Sequence, residues 1–94
     1  MNIPVYLNPD HFGYWGHDKT PLDYSNYKNW EQRIVTGIDH DDSDIVMLND
    51  VYKYGQNDFQ RGTTRSVSVG DITVIYGTIY VCEPIGWHEL GKVV

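Results

Sequence analysis

Ser66 and Ser68 stand on either side of Val67 in the stretch Arg65-Ser66-Val67-Ser68-Val69-Gly70-Asp71, with a carboxylate just beyond them. A nucleophilic serine needs a base within reach and an oxyanion hole, and many hydrolases mount it on a Gly-x-Ser-x-Gly elbow. That elbow is absent from this chain. Alternation with Val67 and Val69 is instead the pattern of surface-facing hydroxyls on a strand. Gly70 supplies a permissive backbone angle for a bend, and the Asp71 carboxylate can accept local amide hydrogens to fix it. The stretch therefore reads as a device that sets strand register. A small hydrolase using Ser66 or Ser68 with a histidine is the weakest alternative.

Metal chemistry has one candidate, the acidic run Asp39-His40-Asp41-Asp42-Ser43-Asp44. Asp39, Asp41 and Ser43 occupy the first, third and fifth places of a calcium loop, and Asp50 the twelfth. The sixth place is Asp44, however, where the sharp turn of such a loop needs Gly. Helix capping and solvated charge explain the run more simply. His11, His17, His40 and His88 form no His-x-x-x-His pair, and the lone Cys82 leaves no Cys/His quartet for zinc. Gly13-Tyr14-Trp15-Gly16 lacks the lysine and the following helix of a phosphate loop. The expectation is a non-enzyme with no metal and no cofactor.

What remains is aromatic surface. The 94 residues include eight Tyr, three Trp and two Phe, enough to fill a small core with few side chains. Phe12, Tyr14, Trp15, Tyr24, Tyr27 and Trp30 crowd one segment, and their spacing fits no single face of a helix or strand. A domain of this size cannot easily hide them all. Exposed Tyr and Trp are frequent anchors of protein interfaces, so Tyr14, Trp15, Tyr24, Tyr27, Trp30 and Tyr76 are the expected partner-binding residues. The plainer alternative is that most of them cover the open face of a sheet.

Charge narrows the partner. Thirteen acidic residues against seven basic ones give a net charge of −6. Lys19, Lys28, Arg33, Lys53, Arg61, Arg65 and Lys92 are scattered along the chain. Nucleic acid would be repelled overall, whereas a protein with basic groups would not. The opening MNIPVYLNPD shows no basic segment leading into an apolar run, and nowhere are there about 18 consecutive apolar residues. No membrane association is expected. A lone cysteine suits a reducing cytoplasm.

The elements that must position these groups can be read from pattern. Residues 3–8 alternate Ile3, Val5 and Leu7 on one face, as a half-buried strand does, and residues 33–38 are β-branched enough for a second strand. A helix is expected from a cap at Asp42 or Ser43 to a left-handed stop at Gly55. Ile45, Met47, Leu48, Val51, Tyr52 and Tyr54 fall on its apolar half, with only Val46 out of place. Residues 72–76 and 78–82 form a hairpin through Tyr76-Gly77, and a short segment containing Trp87 follows Pro84 and Gly86. The prediction is one α+β domain over residues 1–94: a small, mostly antiparallel sheet with one principal helix packed on one face.

These residues also resemble a known group. Arg65-Ser66-x-Ser68-Val69-Gly70-Asp71, then Gly77, Tyr80 and Ile85-Gly86-Trp87, is similar to the RSxSVGD … DG … Y … FGW pattern of the YodL-like small proteins of plasmids, conjugative elements and phages. Similarity is strong over 45–90 and looser upstream, through VYLN, the Gly-Tyr-Trp-Gly cluster and the acidic helix. It implies structural roles for Arg65, Ser66, Ser68, Gly70, Asp71, Gly77, Gly86 and Trp87. It also implies a mobile-element accessory protein, without implying a mechanism. Tyr76 departs from the pattern, which has Asp there. Because Tyr resists the positive φ of a type I′ turn, a longer or different turn is expected. The leading expectation is a non-enzymatic accessory protein that binds and modulates a host protein. Self-association through a strand edge or an aromatic patch is the alternative.

Overall fold

The computed structural model describes residues 1–60 and 64–93; Arg61, among the scattered basic residues, lies outside them. Alternation at Ile3, Val5 and Leu7 becomes strand β1 (Ile3–Leu7), with those three side chains buried on one face. Antiparallel to it on one side runs β2 (Glu31–Val35), and on the other β3 (Ile72–Ile75). The predicted hairpin carries β3 into β4 (Thr78–Cys82). A fifth strand, β5 (Trp87–Lys92), completes the sheet in the order β2-β1-β3-β4-β5. Between β2 and β3 comes the helix α1 (Asp44–Tyr54). The result is a small α+β fold with one main helix packed against a five-stranded antiparallel sheet.

The helix starts where capping chemistry puts it, since Ser43 Oγ accepts the Val46 amide hydrogen at 3.4 Å. Its end differs from expectation. Gly55 has φ −77° and is not left-handed. Glycine is needed there for closeness: a Cβ would stand 2.6 Å from the Val51 carbonyl and nearer still to Val67 Cγ2. The buried arc is also narrower than half the circumference. Met47, Leu48 and Val51 are buried and Tyr54 packs beside them, whereas Ile45 and Tyr52 join Val46 in solvent. At 100° per residue the packed positions span only about 120°, the width one helix can press onto a sheet.

The other face of the sheet is covered without a helix. Tyr14, Tyr27, Ile72, Ile79 and Val81 form a second buried cluster, with Tyr6, Leu22, Tyr24 and Trp30 packed against it. The Tyr6 and Tyr27 rings meet edge to face at 5.0 Å. The aromatic segment 11–30, containing short 3-10 turns at His11–Gly13 and Tyr27–Asn29, thus acts as the third layer.

Three further expectations are revised. β2 begins at Glu31 and stops at Val35, because its ladder to β1 pairs Leu7 with Glu31 and Ile3 with Val35. Thr36 and Gly37 then bulge outward before Met1 and Ile38 exchange two backbone hydrogen bonds. The Arg65–Val69 stretch is not a strand: its backbone bonds the end of α1 instead, with the Val67 amide donating to the Gly55 carbonyl at 3.1 Å. The β3–β4 turn is the tight two-residue kind, with Tyr76 at φ 46° and Gly77 at φ 81°, the positive pair a type I′ turn requires. Tyr76 is held there by its hydroxyl, which donates to the His40 carbonyl at 2.8 Å.

Candidate functional site

Two polar constellations lie at the end of the sheet where β4 runs out. The first is the Arg65–Asp71 motif. Asp71 is completely buried, and Gly70, with φ +93°, turns the chain into it. Asp71 Oδ1 accepts from Arg65 Nη2 (2.6 Å) and the Asn8 amide (2.8 Å); Oδ2 accepts from Arg65 Nη1 (2.7 Å) and the Ser68 amide (2.8 Å). A carboxylate has about four lone-pair sites, so none is left for chemistry. Ser66 Oγ accepts the Asn57 amide hydrogen at 2.9 Å. Among the described residues neither serine bonds a histidine. The motif fastens β1, the helix end and β3 together.

The second constellation was not foreseen. Tyr14, Gly16 and His17 belong to the aromatic segment, Glu83 follows β4, and His88 lies in β5. Pairing of Val81 with His88 brings β5 back beside β4, and the Glu83 amide donates to the Gly86 carbonyl at 2.9 Å to close the turn, with Gly86 at φ 73°. Glu83 Oε2 accepts from the Tyr14 hydroxyl (2.5 Å) and the His17 amide (2.8 Å), while Oε1 lies 2.7 Å from His17 Nδ1. The His17 and His88 rings stack at 3.6 Å with 4° between their planes. One donor atom each from His17, Glu83 and His88 falls within 4.8 Å of the others.

Electrostatics follow from these contacts. Burial pushes the Tyr14 phenol well above its usual value, and the adjacent Glu83 carboxylate adds to the shift, so Tyr14 stays a donor. Burial alone would raise Glu83, but hydrogen bonds from Tyr14 and His17 outweigh it and hold the carboxyl below its usual range. The spatial order is hydroxyl, carboxylate, imidazole. Nucleophile activation needs the imidazole in the middle, so this is not a hydrolytic triad. An ionised carboxylate beside two imidazoles is instead a ligand set of the kind that suits transition metals.

The expected partner-binding residues divide. Tyr14 and Tyr27 are buried and cannot serve as anchors, because their rings form the second core. Tyr24 and Trp30 are half-buried against that same core. Trp15, 67% exposed, and Tyr76, 61% exposed, remain outward. Phe12 and Ile85, 86% and 94% exposed, add apolar surface that pattern reading did not single out as sites. Of the motif residues, Trp87 packs against the helix-side core and Gly77 sits in the turn beside Tyr76. The acidic run leads into α1, which already begins at Asp44: Asp39 accepts the Asp41 amide hydrogen, Ser43 caps the helix, and Asp44 accepts from the Tyr80 hydroxyl.

No protein family, curated protein or solved structure matches the chain. None of the helices among the described residues is long and apolar enough to cross a membrane.

Proposed function

We propose that this is a non-enzymatic accessory protein of a phage or other mobile element, which acts in the bacterial cytoplasm by occupying a host protein. The observation that carries the reading is Trp15. Its ring projects into solvent from a backbone fixed on both sides. Tyr14 before it and His17 after it both bond Glu83, and the Trp15 amide donates to Thr20 Oγ1 at 3.1 Å. With the backbone fixed, only the two side-chain torsions of the indole are left to order on binding, a small cost for so large a contact surface. Ile85 sits in the turn that the same Glu83 closes, and Phe12 precedes the buried Tyr14 by two residues. With Asp10 and Asp18 nearby in the chain and a net charge of −6, the fitting partner offers an apolar pocket rimmed by basic groups. The resemblance to the YodL-like proteins supplies the mobile-element context.

The test compares host proteins retained by the wild type, by Trp15→Ala and by Tyr76→Ala, followed by binding of the purified candidate. A protein lost only with Trp15→Ala supports the reading; identical retention by all three sinks it.

Self-association is the second reading, and the six-residue strand β5 favours it, since among the described residues its outer edge has no strand beside it in the sheet. Light scattering across a concentration series would separate the two, with a constant monomer mass removing this one.

A further inference from the structure

We propose that His17, Glu83 and His88 form a binding site for a divalent transition cation of the zinc class. The inference is independent of the host-protein reading. The donor set is two imidazoles and one carboxylate, the combination that suits zinc, cobalt, nickel and copper rather than calcium or magnesium. Zinc sites with three protein ligands of this composition keep a fourth position open.

Geometry brings the three ligands together and leaves one ring to reorient. Two donors about 2.0–2.2 Å from one cation, at angles between square and tetrahedral, lie roughly 3 Å apart. Glu83 Oε1 and His17 Nδ1, at 2.7 Å, are already close to that separation. A cation at Nδ1 takes the place of the hydrogen shared with Glu83; in a neutral imidazole that hydrogen sits on Nε2 instead, so His17 ligates as a neutral ring. Glu83 does not have to be recruited, because Tyr14 and the His17 amide hold its other oxygen. Such outer hydrogen bonds orient ligating carboxylates in metal sites. His88 is placed by strand register and not by a flexible loop.

One movement is required. Parallel stacked rings point their lone pairs in parallel, so one imidazole must swing out of the stack for both to reach a shared cation. His17, whose side chain is 47% exposed, has the room to do so. Stacking keeps the two rings adjacent until then.

Protein made without a polyhistidine tag would be titrated with Zn²⁺ against a chromophoric chelator, and with Co²⁺ while visible absorption is recorded. The expected result is one Zn²⁺ per chain and a Co²⁺ spectrum of low coordination number. His17→Gln and His88→Gln should each weaken Zn²⁺ by more than the about 10–100-fold range of an outer-sphere change, the range expected for Tyr14→Phe. Asp39→Asn with Asp41→Asn should leave binding unchanged. Circular dichroism checks that each variant is folded; should Tyr14→Phe not fold, the two histidine variants decide. No stoichiometric binding by the wild type overturns the proposal, and so does equal binding by both histidine variants, which would mean a cation held loosely by the acidic surface.

Discussion

Asp71 and Glu83 are two carboxylates on either side of Cys82 in space, since the Cys82 amide donates to the Asp71 carbonyl and Glu83 is the next residue along. Both accept hydrogen bonds from distant parts of the chain. Asp71 has four donors on two oxygens and no exposure. Glu83 has two donors on one oxygen and, on the other, a single histidine at the surface, with a second imidazole alongside. The difference separates a carboxylate that the fold consumes from one that the fold presents. Burial with every lone pair filled is a structural investment, because any unfilled site there would destabilise the native state. Glu83, mostly buried, still has one oxygen turned to an exposed histidine, and so keeps valence that the Asp71 corner has used up.

The largest effect that could break this contrast comes from Asp71→Ala. It strips the charge partner from Arg65 and leaves the Asn8 and Ser68 amides without acceptors. Removing one member of a buried pair typically costs about 3–5 kcal/mol, a large share of what so small a domain possesses. Urea denaturation should find the variant largely unfolded or with a midpoint far below the wild type. A loss under 1 kcal/mol, roughly that of an ordinary single hydrogen bond, would mean the corner is not what holds the sheet to the helix end.

Tyr14→Phe should cost less. It deletes one bond to an ionised acceptor in a partly buried place, worth about 1.5–3 kcal/mol at most. The phenyl ring keeps its place in the second core. If this substitution proved as damaging as Asp71→Ala, Glu83 would belong with the structural carboxylates.

A third carboxylate, Asp44, sharpens the scale through pH. The Tyr80 hydroxyl donates to Asp44 Oδ2 at 2.9 Å, tying β4 to the first turn of α1. Burial first, then this bond and its charge, push the phenol from 10.0 up to about 12. Because the folded value is raised, the tie contributes its full stability below pH 10 and loses it as pH climbs through about 12. Phenolate absorbance should therefore include a component that ionises at about 12, above the ordinary phenol value of 10.0. Asp44→Asn should bring its titration downward, and an unchanged curve would show that Asp44 does not influence the phenol.

How much of this could be read from residues alone differs between the two corners. Gly70 beside Asp71 announces a bend fixed by a carboxylate, and the Ser68 amide does donate to it, but the Arg65 pair and the tie to Asn8 carry no such local signal. The alternation in β1, the β-rich hairpin and the Ser43 cap were legible because the signal and the structure lie within one turn or one strand. His17 and Glu83 are 66 positions apart. Only the β4–β5 register and the fold of the aromatic segment unite them, and neither has a sequence period. β5 lacks a strand signature because His88, Glu89, Gly91 and Lys92 leave only Trp87 and Leu90 as apolar positions, three residues apart. The Arg65–Val69 stretch looked like a strand because alternation tells which side chains are buried, not which backbone groups pair. Tyr76 in its tight turn shows the reverse error, where local preference lost to a hydroxyl bond 36 positions away.

The smallest effect on stability, and the most informative about use, is expected at Trp15. Its ring is mostly in solvent, its backbone is secured by neighbours, and Ala keeps the amide that bonds Thr20. A surface substitution without buried partners shifts stability by about 0.5 kcal/mol or less. Trp15→Ala should thus melt and denature like the wild type while losing the proposed host protein, a separation that Tyr14→Phe cannot provide because it perturbs Glu83 as well. Should Trp15→Ala instead destabilise the protein by more than about 1 kcal/mol, the indole would be packing against the fold in solution. Its exposure would then no longer distinguish the presenting end of the molecule from the consumed one.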